Sequence, residues 1–280
     1  MRSNGLPLPE KQGVGQFDSA SGHKLLNKLK YKIKNKELSK YFIWKLNEFR
    51  KSPLTELKLN FYKYNLYNCG DDFKKYLEIK FKILKLKKSD INEHLETLSK
   101  YASTTQTILE TGVRGVVSSW ALIHGLYNNK SSEKSIFLND IEPCDINEIL
   151  KISENLNINL EFEWRNNLKL ELDRNFDLVF IDTWHVYGQL KRELKKFSAV
   201  TNKYIILHDT TLDGDIGETI RLGWDSEQQS RESGYTIEEI EKGLWPAVEE
   251  FLDENENWQL EKRFTNCNGL TILKNIEKSI

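Results

Sequence analysis

Cysteine is scarce in this 280-residue chain: Cys69, Cys144 and Cys267 are odd in number, scattered and without CxxC spacing. That excludes a disulfide framework and suggests no zinc site. Five prolines and fifteen glycines exclude a collagen-like or low-complexity chain. No run approaches the ~20 apolar residues that a bilayer crossing needs, so no transmembrane segment is expected. The start, MRSNGLPLPEKQGVGQFDSASG, lacks the apolar core of a secretory signal, and a cytoplasmic location is the expectation. What the chain does have is 39% hydrophobic and 11% aromatic residues, enough for a real core.

Charge is nearly balanced overall and strongly unbalanced along the chain. Residues 1–100 hold 22 Lys and Arg against 11 Asp and Glu, whereas residues 101–280 hold 19 against 31. The basic half suits a solvated face, an acidic neighbour or an anionic partner. Nucleic acid is not the expected partner, and self-association is compatible with the sequence. Residues 1–22 read as a flexible leader, because Gly, Ser, Pro and polar residues alternate there without a period. Residues 23–88 form a basic extension. Leu25, Leu26, Leu29, Ile33, Tyr41, Phe42, Leu46 and Phe49 fit amphipathic helices within it, while 55–88 is ambiguous between strand and helix.

From residue 89 the pattern changes. Ser89 is expected to cap a helix, SDINEHLETLSKYA, that leads into an apolar strand. Strands are then expected at 107–110, 135–139, 158–163, 177–181 and 203–207, with helices near 118–128, 146–155 and 187–198 between them. LVFI and YIIL are unbroken apolar runs, as in parallel strands covered on both faces. The fold class is therefore α/β, a doubly wound Rossmann-like sheet over 89–280. Thr236 with Glu239 opens a later helix, Pro246 starts another, and WQLEKRF and GLTILK pair as an antiparallel C-terminal hairpin.

In such a sheet, ligands bind at the carboxyl ends of the strands. Glu110-Thr-Gly112-Val-Arg-Gly115 and Ser118 follow the first strand; this is not the G-x-G-x-x-G of a pyrophosphate loop. Glycines before a helix N-terminus admit a ligand close to the backbone, and a carboxylate at Glu110 suits an ammonium group. Asp140 ends the second strand, where it can accept ribose hydroxyls. Ribose plus ammonium without phosphate describes S-adenosylmethionine. The competing reading is that Glu110 and the glycines only shape a tight turn. Asp182 ends the fourth strand and His208-Asp209 the fifth, a set suited to Mg²⁺ or Mn²⁺. His185, one turn on, is a candidate general base. The alternative is that Asp182 contacts the cofactor, His185 caps its helix and His208 is a satisfied strand-end histidine.

At these residues the chain resembles the class I S-adenosylmethionine-dependent methyltransferases over roughly 90–275. Glu110-Thr-Gly112-Val-Arg-Gly115 with Ser118 is similar to that family's cofactor loop. FDLVFIDTWHVYGQLKREL followed by YIILHDT resembles the cephalosporin hydroxylase-like and macrocin O-methyltransferase-like branch, with Thr183 where glycine is usual. The resemblance implies a methyltransferase domain whose cofactor is held by Glu110, Gly112, Gly115, Ser118, Asp140 and Asn166. It further implies a divalent metal on Asp182, His208 and Asp209, with Asp182 and His185 at the chemistry. The implied acceptor is a hydroxyl of a sugar, glycan or glycosylated small molecule. Residues 212–235, too long and polar for a simple connector, are expected to close over that acceptor, presenting Trp224 and Tyr235. Two rivals stand beside this: a metal-dependent sugar-nucleotide transferase using Asp213-Gly-Asp215, and a nucleic-acid-binding protein using the lysines of 24–88.

Overall fold

The computed structural model describes residues 55–277. The helices expected between 23 and 50 lie outside those residues. Helix α1 covers 55–67, so the Leu57, Leu59 and Phe61 alternation is not a strand. Helix α2 (Phe73–Leu86) is capped by Asp72, whose side chain accepts from Lys75 N at 3.0 Å. Its apolar residues recur every two to four positions, and Leu77 and Phe81 enter the main core. Ser89 does not cap the next helix. Its backbone N–H instead donates to Asn92 Oδ1, a 3-10 turn over Asn92–His94 intervenes, and α3 begins at Leu95 (Leu95–Ala102).

The following elements alternate as expected: β1 (Thr107–Thr111), α4 (Val117–Asn128), β2 (Ser135–Asp140), α5 (Asn147–Asn155), β3 (Asn159–Trp164), β4 (Phe176–Ile181), α6 (Tyr187–Ser198) and β5 (Thr201–His208). Short helices α7 (Glu218–Leu222), α8 (Ser226–Ser233) and α9 (Ile237–Glu241) precede α10 (Trp245–Glu254), and β6 (Trp258–Phe264) and β7 (Leu270–Asn275) close the order. Thr236 and Glu239 form a complete capping box on α9, and Pro246 sits in the first turn of α10.

The seven strands are ordered β3-β2-β1-β4-β5-β7-β6. The first five are parallel and β7 runs antiparallel to both β5 and β6. This is the expected doubly wound Rossmann-like sheet with its antiparallel C-terminal hairpin. Strand periodicity explains the unbroken apolar runs, since successive side chains point to opposite faces. Ile108, Leu178, Phe180 and Ile206 join the cluster beneath α2, α3 and α4. Leu109, Val179, Ile181, Ile205 and Leu207 join the other, beneath α6 and α10. Strand order reverses between β1 and β4, so the crevice for a ligand opens there.

Candidate functional site

A cavity of about 780 Å³ lies at the carboxyl ends of β1, β2, β4 and β5, in the size range of small-molecule sites. Gly112, Gly115, Ser118, Asp140, Asn166, Asp182, His185 and Asp209 all line it. Glu110 and His208 do not; both are buried behind the lining, at 0% and 1% exposure.

The turn after β1 is held in a sparsely populated conformation. Gly112, Arg114 and Val116 have φ of 87°, 40° and 59°, the last two unusual for residues with a Cβ. A Cβ on Gly112 would lie 1.9 Å from the Asp182 carbonyl oxygen, so only glycine lets β1 and β4 approach this closely. At Gly115 a Cβ would meet nothing nearer than 3.9 Å; that glycine leaves open space toward the cavity. Asp140 fastens the turn. Its Oδ2 accepts from Val113 N and Arg114 N, both at 2.8 Å, and its Oδ1 from Glu142 N at 3.0 Å. A carboxylate offers about four acceptor positions, so Asp140 both builds the loop and keeps capacity for a ligand hydroxyl. Asn166 spends its Oδ1 on Leu168 N at 2.9 Å, which leaves its amide group to donate into the cavity.

Glu110 accepts from the Ser118 hydroxyl through Oε1, while Oε2 has no partner. Burial pushes its carboxyl up to about 8, against the lowering effect of Ser118. At neutral pH it is mainly protonated, and a ligand's positive charge nearby would favour its ionised form.

Beside the turn lies a cluster of acids and histidines. His185 Nε2 is 3.2 Å from Asp182 Oδ1 and 3.3 Å from Asp209 Oδ2; its Nδ1 is 3.2 Å from Asp213 Oδ2, without hydrogen-bond alignment. His208 Nδ1 approaches the same two carboxylates, at 3.3 Å from Asp182 and 3.2 Å from Asp209. Burial alone would lower both histidines. The surrounding carboxylates outweigh it, raising His185 well above its ordinary value and His208 to about 10. Burial opposes ionisation of Asp182 as well, yet the two histidines hold its carboxyl below the usual range. Both imidazoles are therefore protonated at neutral pH in the cation-free protein, and His185 in that state is no base.

The donors nevertheless fit a hard divalent ion. Asp182, His185 and Asp209 offer ligand atoms within 4.8 Å of one another. Asp209 is 5% exposed, its Oδ1 lacks a hydrogen-bond partner, and its backbone sits at φ 56°. His185 thus joins the expected ligand positions, and His208 flanks the same carboxylates from behind.

Several contributors escape a sequence reading. Arg221 forks onto Asp213, which is fully buried, and also reaches Glu218. Glu218 and Arg221 stand three apart on α7, but Asp213 lies outside any helix or strand, so nothing in the sequence signals its pairing with Arg221. Glu193, buried in α6, accepts from Thr183 Oγ1 at 2.6 Å, Gln189 Nε2 at 2.7 Å and Asn167 Nδ2 at 2.5 Å. Thr183 has its role there. Trp184 stacks on Tyr235 at 5.8 Å between centroids, Arg192 lies 4.1 Å from the same ring, and the Tyr235 hydroxyl donates to Gln189. Tyr235 is committed to this packing, whereas Trp224 is 47% exposed on the cavity wall.

Residues 216–242 form an excursion closed at its neck. Gly243 N donates to Asp215 O, Leu244 N to Asp213 O and Trp245 N to Gly214 O, at 3.1, 2.8 and 2.8 Å. Glu218, Trp224, Gln229, Glu232 and Tyr235 reach the cavity from this excursion.

No family model matches the chain, and no curated protein does. Its backbone is similar to solved methyltransferase structures. An O-methyltransferase family protein from Burkholderia thailandensis is 8% identical, with a TM-score of 0.45 over 81% of this chain and 72% of that one. The O-methyltransferase from Bacillus cereus, solved in complex with SAH, is 13% identical, with a TM-score of 0.41 over 65% and 80%. The N-methyltransferase NodS from Bradyrhizobium japonicum is 12% identical, with a TM-score of 0.42 over 75% and 99%.

Proposed function

We propose that this chain is an S-adenosylmethionine-dependent O-methyltransferase, assisted by a divalent cation and acting on a hydroxyl of a sugar, glycan or glycosylated small molecule. The observation that carries the reading is one cavity bounded by the glycine turn, Asp140 and the Asp182–His185–Asp209 group. Gly115 leaves space for a ligand, Asp140 and Asn166 present an acceptor and a donor for the nucleoside, and Glu110 lies behind the turn for the ammonium end.

S-adenosylmethionine, when bound, would supply an electrophilic methyl group for an acceptor oxygen, with S-adenosylhomocysteine as the leaving group. A cation on Asp182 and Asp209, with His208 flanking both carboxylates, would supply Lewis acidity that lowers the pKa of an acceptor hydroxyl. With the charge of Asp182 and Asp209 so engaged, less attraction would hold the proton on His185, and a neutral His185 can take the hydroxyl proton. The walls of the cavity contribute alignment and exclude water.

The sugar-nucleotide transferase reading is disfavoured by Asp213, which is fully buried and paired to Arg221 and therefore not free to hold a diphosphate-bound metal. Half of the lysines on which the nucleic-acid reading rests, those of 24–54, lie outside the described residues.

Isothermal titration with S-adenosylmethionine and S-adenosylhomocysteine tests the cofactor assignment. Asp140→Ala should weaken affinity by on the order of tenfold or more, because it removes both a ligand acceptor and the fastening of the turn; unchanged affinity would remove Asp140 from the site. Titrations at pH 7 in two buffers of different ionisation enthalpy should show net proton release. Glu110, held near 8 when free, ionises as the ligand's ammonium approaches, and a proton uptake would contradict that placement.

A further inference from the structure

The charge of the cavity wall is lopsided. Arg114 and Lys169 are the lysine and arginine side chains on it among the described residues, and His185 adds a positive charge that is already engaged by Asp182 and Asp209. Arg114 is already paired with Asp90 at 2.7 Å. Asp140, Glu142, Asp182, Asp209, Glu218 and Glu232 face the same space. One divalent cation and one sulfonium ligand would leave this wall short of positive charge. A phosphate or carboxylate on the acceptor would meet repulsion concentrated by low-dielectric walls.

Within this wall Glu232 differs from the other acids on the excursion. Glu218 is held by Arg221 and lies 3.7 Å from His185 Nδ1. Glu232 accepts from the neutral Gln228 amide at 2.7 Å, and among the described residues no cation pairs with it. It lines the cavity together with Trp224, the aromatic on that wall not drawn into packing against Tyr235. An unpaired carboxylate and an open indole face are the two groups that receive an ammonium best. Deeper in, Asp209 presents its unpartnered buried Oδ1.

Resting on the methyltransferase reading, we propose that the acceptor is an amine-bearing polyol and that Glu232, with Trp224, receives its ammonium group. The proton-bearing hydroxyl is then directed toward Asp182, Asp209 and His185, while the charged end stays on the excursion side. Selection works by sign: amine first, neutral hydroxyl compound second, phosphorylated compound last.

The test uses the full-length protein with Mg²⁺ and S-adenosylhomocysteine, and three matched probes: methyl glucosaminide, methyl glucoside and methyl glucoside 6-phosphate. Binding of each is followed by saturation-transfer NMR up to 50 mM. The amine should bind about threefold or more tightly than the neutral glucoside, as a partly exposed ion pair allows, and the phosphate most weakly. Glu232→Gln should bring amine and neutral affinities together. Equal affinities, preference for the phosphate, no detectable amine binding, or an amine preference that survives Glu232→Gln would each overturn the proposal. Prior titration of S-adenosylhomocysteine separates the two levels. If that ligand fails to bind, the methyltransferase reading falls; if it binds and the probes rank otherwise, the acceptor proposal falls alone.

Discussion

Asp209→Asn is expected to lower turnover by on the order of a hundredfold while leaving S-adenosylmethionine affinity within about twofold. The choice of asparagine matters. The Asp209 backbone has φ 56°, a region that Asn and Asp tolerate better than other side chains, so the substitution removes charge without adding backbone strain. The lost carboxylate approaches both His185 and His208, and its Oδ1 is buried without a partner. Such an arrangement is costly to maintain unless a ligand completes it. Turnover is read as S-adenosylhomocysteine formation across a Mn²⁺ titration. Wild-type activity indifferent to chelation, or a variant as active as wild type, would remove the cation from the chemistry.

The same cluster gives a pH dependence to stability. His208 binds its proton more tightly in the folded state, up to about 10. Its contribution is therefore complete below the ordinary histidine range near 6.5 and is lost as pH rises toward 10. In the cation-free protein the melting temperature should decline across that window, and Mn²⁺ should flatten the decline by supplying positive charge in place of the protons. A cation-free profile that stays level from pH 6.5 to 10 would contradict protonated His208.

Gly112→Ala is the second large effect. The new methyl carbon would sit 1.9 Å from the Asp182 carbonyl oxygen and 2.5 Å from its carbon, at a backbone φ of 87° that L-residues rarely adopt. Neither atom belongs to a flexible side chain, so β1 and β4 must separate at the tips that bear the site. A loss of about 3 kcal/mol is expected, seen as a fall in melting temperature of roughly 6–12 °C. Cofactor affinity should fall with it, because the Val113 and Arg114 amides move away from Asp140. Gly115→Ala is the matched control: its methyl would have 3.9 Å of clearance, and stability should stay close to wild type. A Gly112→Ala protein as stable as that control would contradict the packing described.

The sheet was legible in the sequence because its signals are local. LVFI and YIIL declare strands covered on both faces, and the polar residues directly after them mark the cavity. Thr236, Glu239 and Pro246 announce their helices through capping chemistry that acts over three or four residues. The 55–88 segment was illegible for an equally local reason: its lysines blur the apolar spacing, and alternation at Leu57, Leu59 and Phe61 imitates a strand within a helix. Ser89 misled because a favourable cap residue is common wherever a turn begins, and here the turn is a 3-10 one. Within the site, positions at strand ends could be named, but partnerships could not. That Asp140 fastens the turn, that Arg221 neutralises Asp213, and that Thr183 serves Glu193 are consequences of tertiary approach. No spacing rule encodes them.

The neck that closes residues 216–242 uses main-chain hydrogen bonds between 213–215 and 243–245, and Arg221 is the side chain beyond it that pairs with the buried Asp213 of the neck. That makes the intervening stretch a natural cassette. On the methyltransferase reading, grafting a foreign helical loop that keeps an arginine for Asp213 between the same two anchor points should redirect the protein to new acceptors, with the donor half of the pocket and the hydrophobic layers under the sheet left as they are.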